Sequence, residues 1–166
     1  IGTADGLSAV MFYLLVYALA TLGIFMVIAI ISKRIDTDEI EGYSGMYKRS
    51  PFLCLCMLIC IASLAGLPPL AGFMGKFYLF AYAIQAKYVY LAVIGFIFST
   101  ISVYYYFRIL KSMYLGEAKD ESGILIPFLS RVVLIIIMLG LFLVGILPQS
   151  IISSARILIF SFSDET

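Results

Sequence analysis

The sequence predicts an all-α integral membrane protein with about five transmembrane helices, the third short and following a Pro-Pro break. Three observations predict it. Hydrophobic residues make up 63% of the 166 positions and charged residues 13%, whereas an ordinary soluble domain is about half apolar and about a quarter charged. Mean hydropathy is +1.10. The apolar residues also fall into runs near the roughly 20 residues that cross a bilayer, with the charges gathered between them.

The first helix is expected over 8–32, where Lys33-Arg34 ends it. A polar loop follows, carrying Asp36, Asp38, Glu39, Glu41, Lys48 and Arg49. Ser50-Pro51 opens the second helix, 51–66, because proline suits a first helical turn; Pro68-Pro69 cannot continue it. The third helix is expected over 70–86. The fourth, 88–115, is long enough to tilt or to protrude, and a charged loop, 116–123, follows it. The fifth runs over 127–147, stopped or kinked by Pro148. The tail, 148–166, mixes apolar residues with Ser, Arg156, Asp164 and Glu165, and either extends that helix or lies along the interface. Together, 1–166 reads as one membrane domain that lacks an N-terminal part. It starts at Ile1, close to a span, as a fragment, a split gene product or an incomplete start would. The opening residues have neither the basic start nor the small-residue cleavage site of a signal peptide.

Several function classes are disfavoured. A net charge of +1 gives no reason to expect nucleic acid or an acidic partner. The chain has no His, and Cys54, Cys56 and Cys60 share one apolar run with no carboxylate near. They read as small buried hydrophobes rather than metal ligands.

Lys76 carries the chemistry. It is a lone cation in Gly66-Leu-Pro-Pro-Leu-Ala-Gly-Phe-Met-Gly-Lys76-Phe-Tyr-Leu-Phe80, and an ionisable group inside hydrocarbon is functional by default. Gly66, Pro68, Pro69, Gly72 and Gly75 just before it are residues that interrupt helices and open backbone carbonyls to a cation or to water. Lys76 lies roughly 9 Å from the start of the third helix and roughly 15 Å from its end. One reading is proton or ion handling: desolvation weighs against the charged form of any amine, and a proton relay needs a group poised between its two forms. The other is snorkelling, in which the four-carbon stem lifts the ammonium to the nearer interface.

Other residues carry two readings as well. Tyr104, Tyr105, Tyr106 and Tyr114 suit an interfacial aromatic belt or, for one hydroxyl such as that of Tyr105, a place on a proton pathway. Arg108 and Lys111 read as interfacial. Ser63, Ser99, Thr100 and Ser102, with Tyr78, line a water chain or bond their own helices. Gly95, Gly140 and Gly145 permit close helix packing. None of the five expected spans contains Asp or Glu. A proton-moving lysine needs such a partner, so it is expected from another chain or from a missing N-terminal part. With five crossings, Lys33, Arg34, Lys48, Arg49, Lys87 and Arg156 would share one face, and Arg108, Lys111, Lys119 and Arg131 the other. The positive-inside rule weakly favours the first face as cytoplasmic.

Ser50-Pro51, Ser63-Leu-Ala-Gly-Leu-Pro-Pro-Leu-Ala-Gly-Phe-Met-Gly-Lys-Phe-Tyr78 and Tyr104-Tyr-Tyr-Phe-Arg108 together resemble the antiporter-like subunits of respiratory complex I, within them the subunit 2 (subunit N) type. The resemblance extends from about Gly6 to Pro148. It implies a fourteen-helix fold built on two inverted five-helix repeats, of which these would be helices ten to fourteen. It also implies that Lys76 matches the lysine on the discontinuous twelfth helix, serving the outward proton half-channel. The family's earlier glutamate and two lysines have no counterpart here. The resemblance implies no cofactor in this chain, with NADH, FMN, iron–sulfur clusters and quinone held by other subunits. Implied partners are the other membrane-arm subunits, a companion N-terminal part of the same subunit, and lipids. The implied membrane is the mitochondrial inner or bacterial cytoplasmic one. An outward-lying tail would then put the 33–49 loop outside and the 116–123 loop in the cytoplasm or matrix, against the charge bias. Rival expectations are a multisubunit cation/proton antiporter, a membrane-bound hydrogenase or related ferredoxin-using dehydrogenase, or a non-pumping scaffold with Lys76 snorkelled.

Overall fold

The computed structural model describes residues 4–35, 39–117 and 122–147, without the side chains of Ala4 and Asp5. Lys119, Arg156, Asp36, Asp38 and the tail 148–166 lie outside the described residues. The described residues form helices α1 (Ala4–Ser32), α2 (Met46–Arg49), α3 (Pro51–Ala65), α4 (Ala71–Gln85), α5 (Val89–Leu115) and α6 (Phe128–Ile146), with a short 3-10 turn at Ile40–Tyr43 and no strand among them. The five expected apolar helices are therefore present as α1, α3, α4, α5 and α6, with ends within a few residues of those expected. Helices α1, α5 and α6 are long and apolar enough to cross a membrane.

At 15 residues each, α3 and α4 are about 22 Å long, short of the roughly 30 Å hydrocarbon core. Their neighbours show how they are arranged. Val27 and Ile31 near the end of α1 pack with Leu53, Cys54 and Met57 of α3. Phe12, Val16 and Ala20, nearer its start, pack with Cys60, Leu70 and Ala71. Further along, Phe12 meets the ring of Tyr78 edge-on at 6.3 Å, and Gly75 faces Tyr13. So α3 and α4 lie end to end, running the same way along a single 29-residue helix, α1. Together they run the length of the bundle in one direction as an interrupted pair, where the sequence alone predicts two opposed spans.

The interruption is built locally. The N–H of Leu67 bonds the Ala62 carbonyl at 3.0 Å and that of Gly66 bonds the Ser63 carbonyl at 3.0 Å. This is the paired bonding of a Schellman end, and it needs the left-handed φ of +84° that Gly66 adopts. Pro68 and Pro69, joined by a cis peptide bond, fill the break. Helix α4 has no side-chain cap of its own at Leu70. Ser63 of α3 supplies one, its Oγ accepting the Gly72 N–H at 3.1 Å. From the other side α6 presses on the break: a Cβ at Gly145 would strike the carbonyl oxygen of Pro69 and the backbone of Leu70 and Ala71.

A tight connection through Lys87, which has a left-handed φ of 64°, reverses the chain into α5. That helix passes first α4, with Phe80 and Phe96 rings 6.5 Å apart, and then α3, with Leu110 and Met113 in the α1/α3 core. Its far end meets the 39–50 segment: the Gly45 N–H bonds the Ser112 carbonyl at 3.2 Å, and Tyr47 stacks on Tyr114 at 5.3 Å. The start of α6 is there too, since the Ile124 N–H bonds the Arg49 carbonyl and Arg131 lies over the Phe52 ring.

This changes the sidedness. Lys33, Arg34, Lys48, Arg49, Arg108, Lys111 and Arg131 all gather at one end of the bundle, and Lys87 at the other. The expected split of the two loops between opposite faces does not hold for their described residues, because α3 and α4 run in one direction and every later helix is inverted relative to that expectation.

Candidate functional site

Lys76 lies on the second turn of α4, and a helical side chain leans toward its helix N-terminus. Here that lean carries the amine back to the break instead of out toward Lys87 and the nearer end. Its Nζ donates to the Ala65 carbonyl at 3.3 Å and to the Ser99 Oγ at 2.5 Å. Ala65 is the last residue of α3, and the final carbonyls of a helix have no partner within it. The negative end of the α3 dipole therefore also favours an ammonium there. Gly66 makes room, since a Cβ on it would lie 3.2 Å from the Lys76 Cδ. The helix break thus creates an acceptor in mid-bundle, and Lys76 occupies it.

Two cavities meet at this amine. One, of about 330 Å³, is lined by Lys76 and Ser99 together with Tyr13, Tyr17, Ser102 and Tyr106. The other, of about 400 Å³, shares Lys76 and Ser99 but is otherwise largely aromatic and aliphatic, with Phe73, Phe77, Phe96 and Val103. The first cavity carries more hydroxyl-bearing residues than the second, although Leu64, Leu79, Phe80 and Phe98 line it too.

The remaining expected site residues divide clearly. Ser99 is brought to Lys76. Thr100 lines the second cavity, but its hydroxyl donates to the Phe96 carbonyl at 2.9 Å on its own helix. Ser102 lines the first while donating to the Phe98 carbonyl. Ser63 is buried and committed to Gly72. Tyr78 packs its ring between Phe12 and Phe77. Tyr105 is 59% exposed, beside Tyr104, and lines neither cavity. Tyr106, its neighbour, does line the first cavity. Its spacing gives the signal: Ser99, Ser102 and Tyr106 stand at i, i+3 and i+7, one face of a helix, whereas position 105 falls off it. Tyr13 and Tyr17, one turn apart on α1, were not singled out from the sequence. No group of metal ligands occurs among the described residues.

A family model described as NADH:quinone oxidoreductase/Mrp antiporter, transmembrane, matches residues 1–102. The chain belongs to this family. NADH-quinone oxidoreductase subunit N of Desulforamulus reducens is 40% identical over 160 residues, 96% of this chain and 33% of that protein. NAD(P)H-quinone oxidoreductase subunit 2 of a Synechococcus strain is 47% identical over 121 residues, 73% of this chain and 23% of that protein. Among solved structures, a chain of respiratory complex I from Thermus thermophilus with bound aureothin superposes with a TM-score of 0.74 at 32% identity, over 88% of this chain and 34% of that one. The chain thus spans no more than about a third of the length of these relatives. Family membership and the apolar helices make it a membrane protein.

Proposed function

We propose that this chain is part of a proton-translocating membrane-arm subunit of NADH:quinone oxidoreductase, with Lys76 as a proton carrier on the outward half of the route. One observation carries the reading: the amine is held at a helix break in mid-bundle, beside a hydroxyl-lined cavity, and not turned out to the interface. That geometry also speaks against the snorkelled scaffold. The relatives named as quinone oxidoreductase subunits favour this complex over a cation/proton antiporter or a hydrogenase.

The cation-rich end is assigned to the cytoplasm or matrix by the positive-inside rule, which puts α4 in the outer half of the membrane. Helix α6 then runs outward, as the family resemblance implies for the tail. Charge bias and resemblance, opposed when five crossings were counted, agree once α3 and α4 are one. The membrane is the bacterial cytoplasmic or mitochondrial inner one. Proton partners for Lys76 come from the remainder of the subunit; the other partners are neighbouring membrane-arm subunits and lipid. NADH, flavin, iron–sulfur clusters and quinone belong to other subunits in this reading.

The test is Lys76→Met and Lys76→Arg in the assembled complex in inverted vesicles. Arginine keeps the charge but does not give up its proton, so both variants should lower NADH-driven pumping at least about tenfold while assembly persists. Wild-type pumping and assembly in Lys76→Met would leave only the scaffold reading.

A further inference from the structure

We propose that Ser99 is the positioning residue of Lys76, a hydroxyl that holds the amine at the helix break in both of its protonation states. This rests on the reading of Lys76 as a proton carrier and goes beyond it by asking what keeps the carrier in place. An ammonium has three N–H donors and no acceptor. Two of them are engaged, by the Ala65 carbonyl and by the Ser99 Oγ. When the amine gives up a proton, a lone pair appears that needs a donor. The Ala65 carbonyl can only accept. The Ser99 hydroxyl accepts from the ammonium and, by rotating about its C–O bond, donates to the neutral amine.

The neighbouring serine and threonine of α5 lack this freedom, because Thr100 and Ser102 donate to Phe96 and Phe98 on their own helix. Ser99 turns away from its helix to Lys76, on α4. Like Lys76, it lines both cavities. A carboxylate there would favour one protonation state, and an apolar residue would release the amine. A neutral hydroxyl does neither.

The experiment uses the whole complex, with pumping normalised to assembled protein. Ser99→Ala is expected to lower NADH-driven pumping about tenfold, the factor for losing a hydrogen bond to a charged group, and to displace its pH profile. Ser99→Thr keeps the hydroxyl and should stay within about twofold of wild type with the original profile. Ser32→Ala, at the last residue of α1 and outside both cavities, serves as the control. If Ser99→Ala keeps the wild-type rate and profile while Lys76→Met is inactive, the Ser99 assignment is overturned and the Lys76 reading stands. If Thr and Ala are equally impaired, Ser99 acts by packing and the assignment is again overturned. Wild-type pumping in Lys76→Met removes the reading on which both rest.

Discussion

Gly145→Ala puts the helix break under direct test. A Cβ there would lie 2.6 Å from the Leu70 carbonyl carbon and 2.6 Å from the Ala71 nitrogen, where an ordinary van der Waals contact needs about 3.4 Å or more. The obstacle is backbone, and the Pro69 carbonyl oxygen is nearer still, so upward of about 0.8 Å of movement must come from α6 or from the break itself. Overpacking on this scale costs about 1–3 kcal/mol. Gly140→Ala is the matched control on the same helix, since its Cβ would meet only the Leu19 Cδ2, at 3.2 Å, the far end of a flexible side chain. The assay is the half-life of the assembled complex in detergent at a fixed temperature, with pumping measured on the surviving fraction. Gly145→Ala should shorten the half-life about tenfold, as roughly 1.4 kcal/mol in the unfolding barrier would, and lower pumping as well. Gly140→Ala should stay within about twofold. Equal behaviour of the two variants would refute the claim that α6 braces the break.

Two further outcomes follow from the fold. Single cysteines replacing Lys33, Lys111 and Lys87, labelled with an impermeant thiol reagent in oriented vesicles, should put 33 and 111 on the same side and 87 on the opposite one; labelling of 33 and 87 together would restore the five-crossing arrangement. Gly66→Ala forces a side chain into a left-handed turn, at about 1–2 kcal/mol, and crowds the Lys76 stem. It should reduce pumping more than Gly66→Asn, since asparagine tolerates that turn, and the reverse order in a pumping assay would count against the Schellman end.

Much of this molecule is legible in the sequence. Composition and run length give the membrane class and all five apolar helices, because burial in lipid demands unbroken apolar stretches. Gly66, Pro68 and Pro69 give the break, since each acts on backbone geometry within a few residues. Lys76 stands out because an isolated cation in hydrocarbon needs a reason. Ser99 was a candidate but not distinguishable from Thr100 or Ser102, because whether a hydroxyl turns to its own helix or to a neighbour depends on what the neighbour offers. Tyr105 and Tyr106 are chemically identical neighbours, and only the rotation of α5 against α1 and α4 separates them.

The sequence by itself determined the five apolar helices, where they stop, and which residue carries an ionisable group among them; the short α2 and the 3-10 turn in the expected polar loop were not legible in it. Local propensity and hydropathy act over one turn or one span, and they suffice for that. Tertiary structure alone decided that α3 and α4 run in the same direction, that Lys33, Arg49, Lys111 and Arg131 share one end with Lys87 at the other, and that Lys76 reaches the Ala65 carbonyl and Ser99. A Gly-Pro-Pro stretch ends a helix equally well before a reversal or before a continuation. Packing of both halves along α1, with Gly145 closing on the break, selects the continuation.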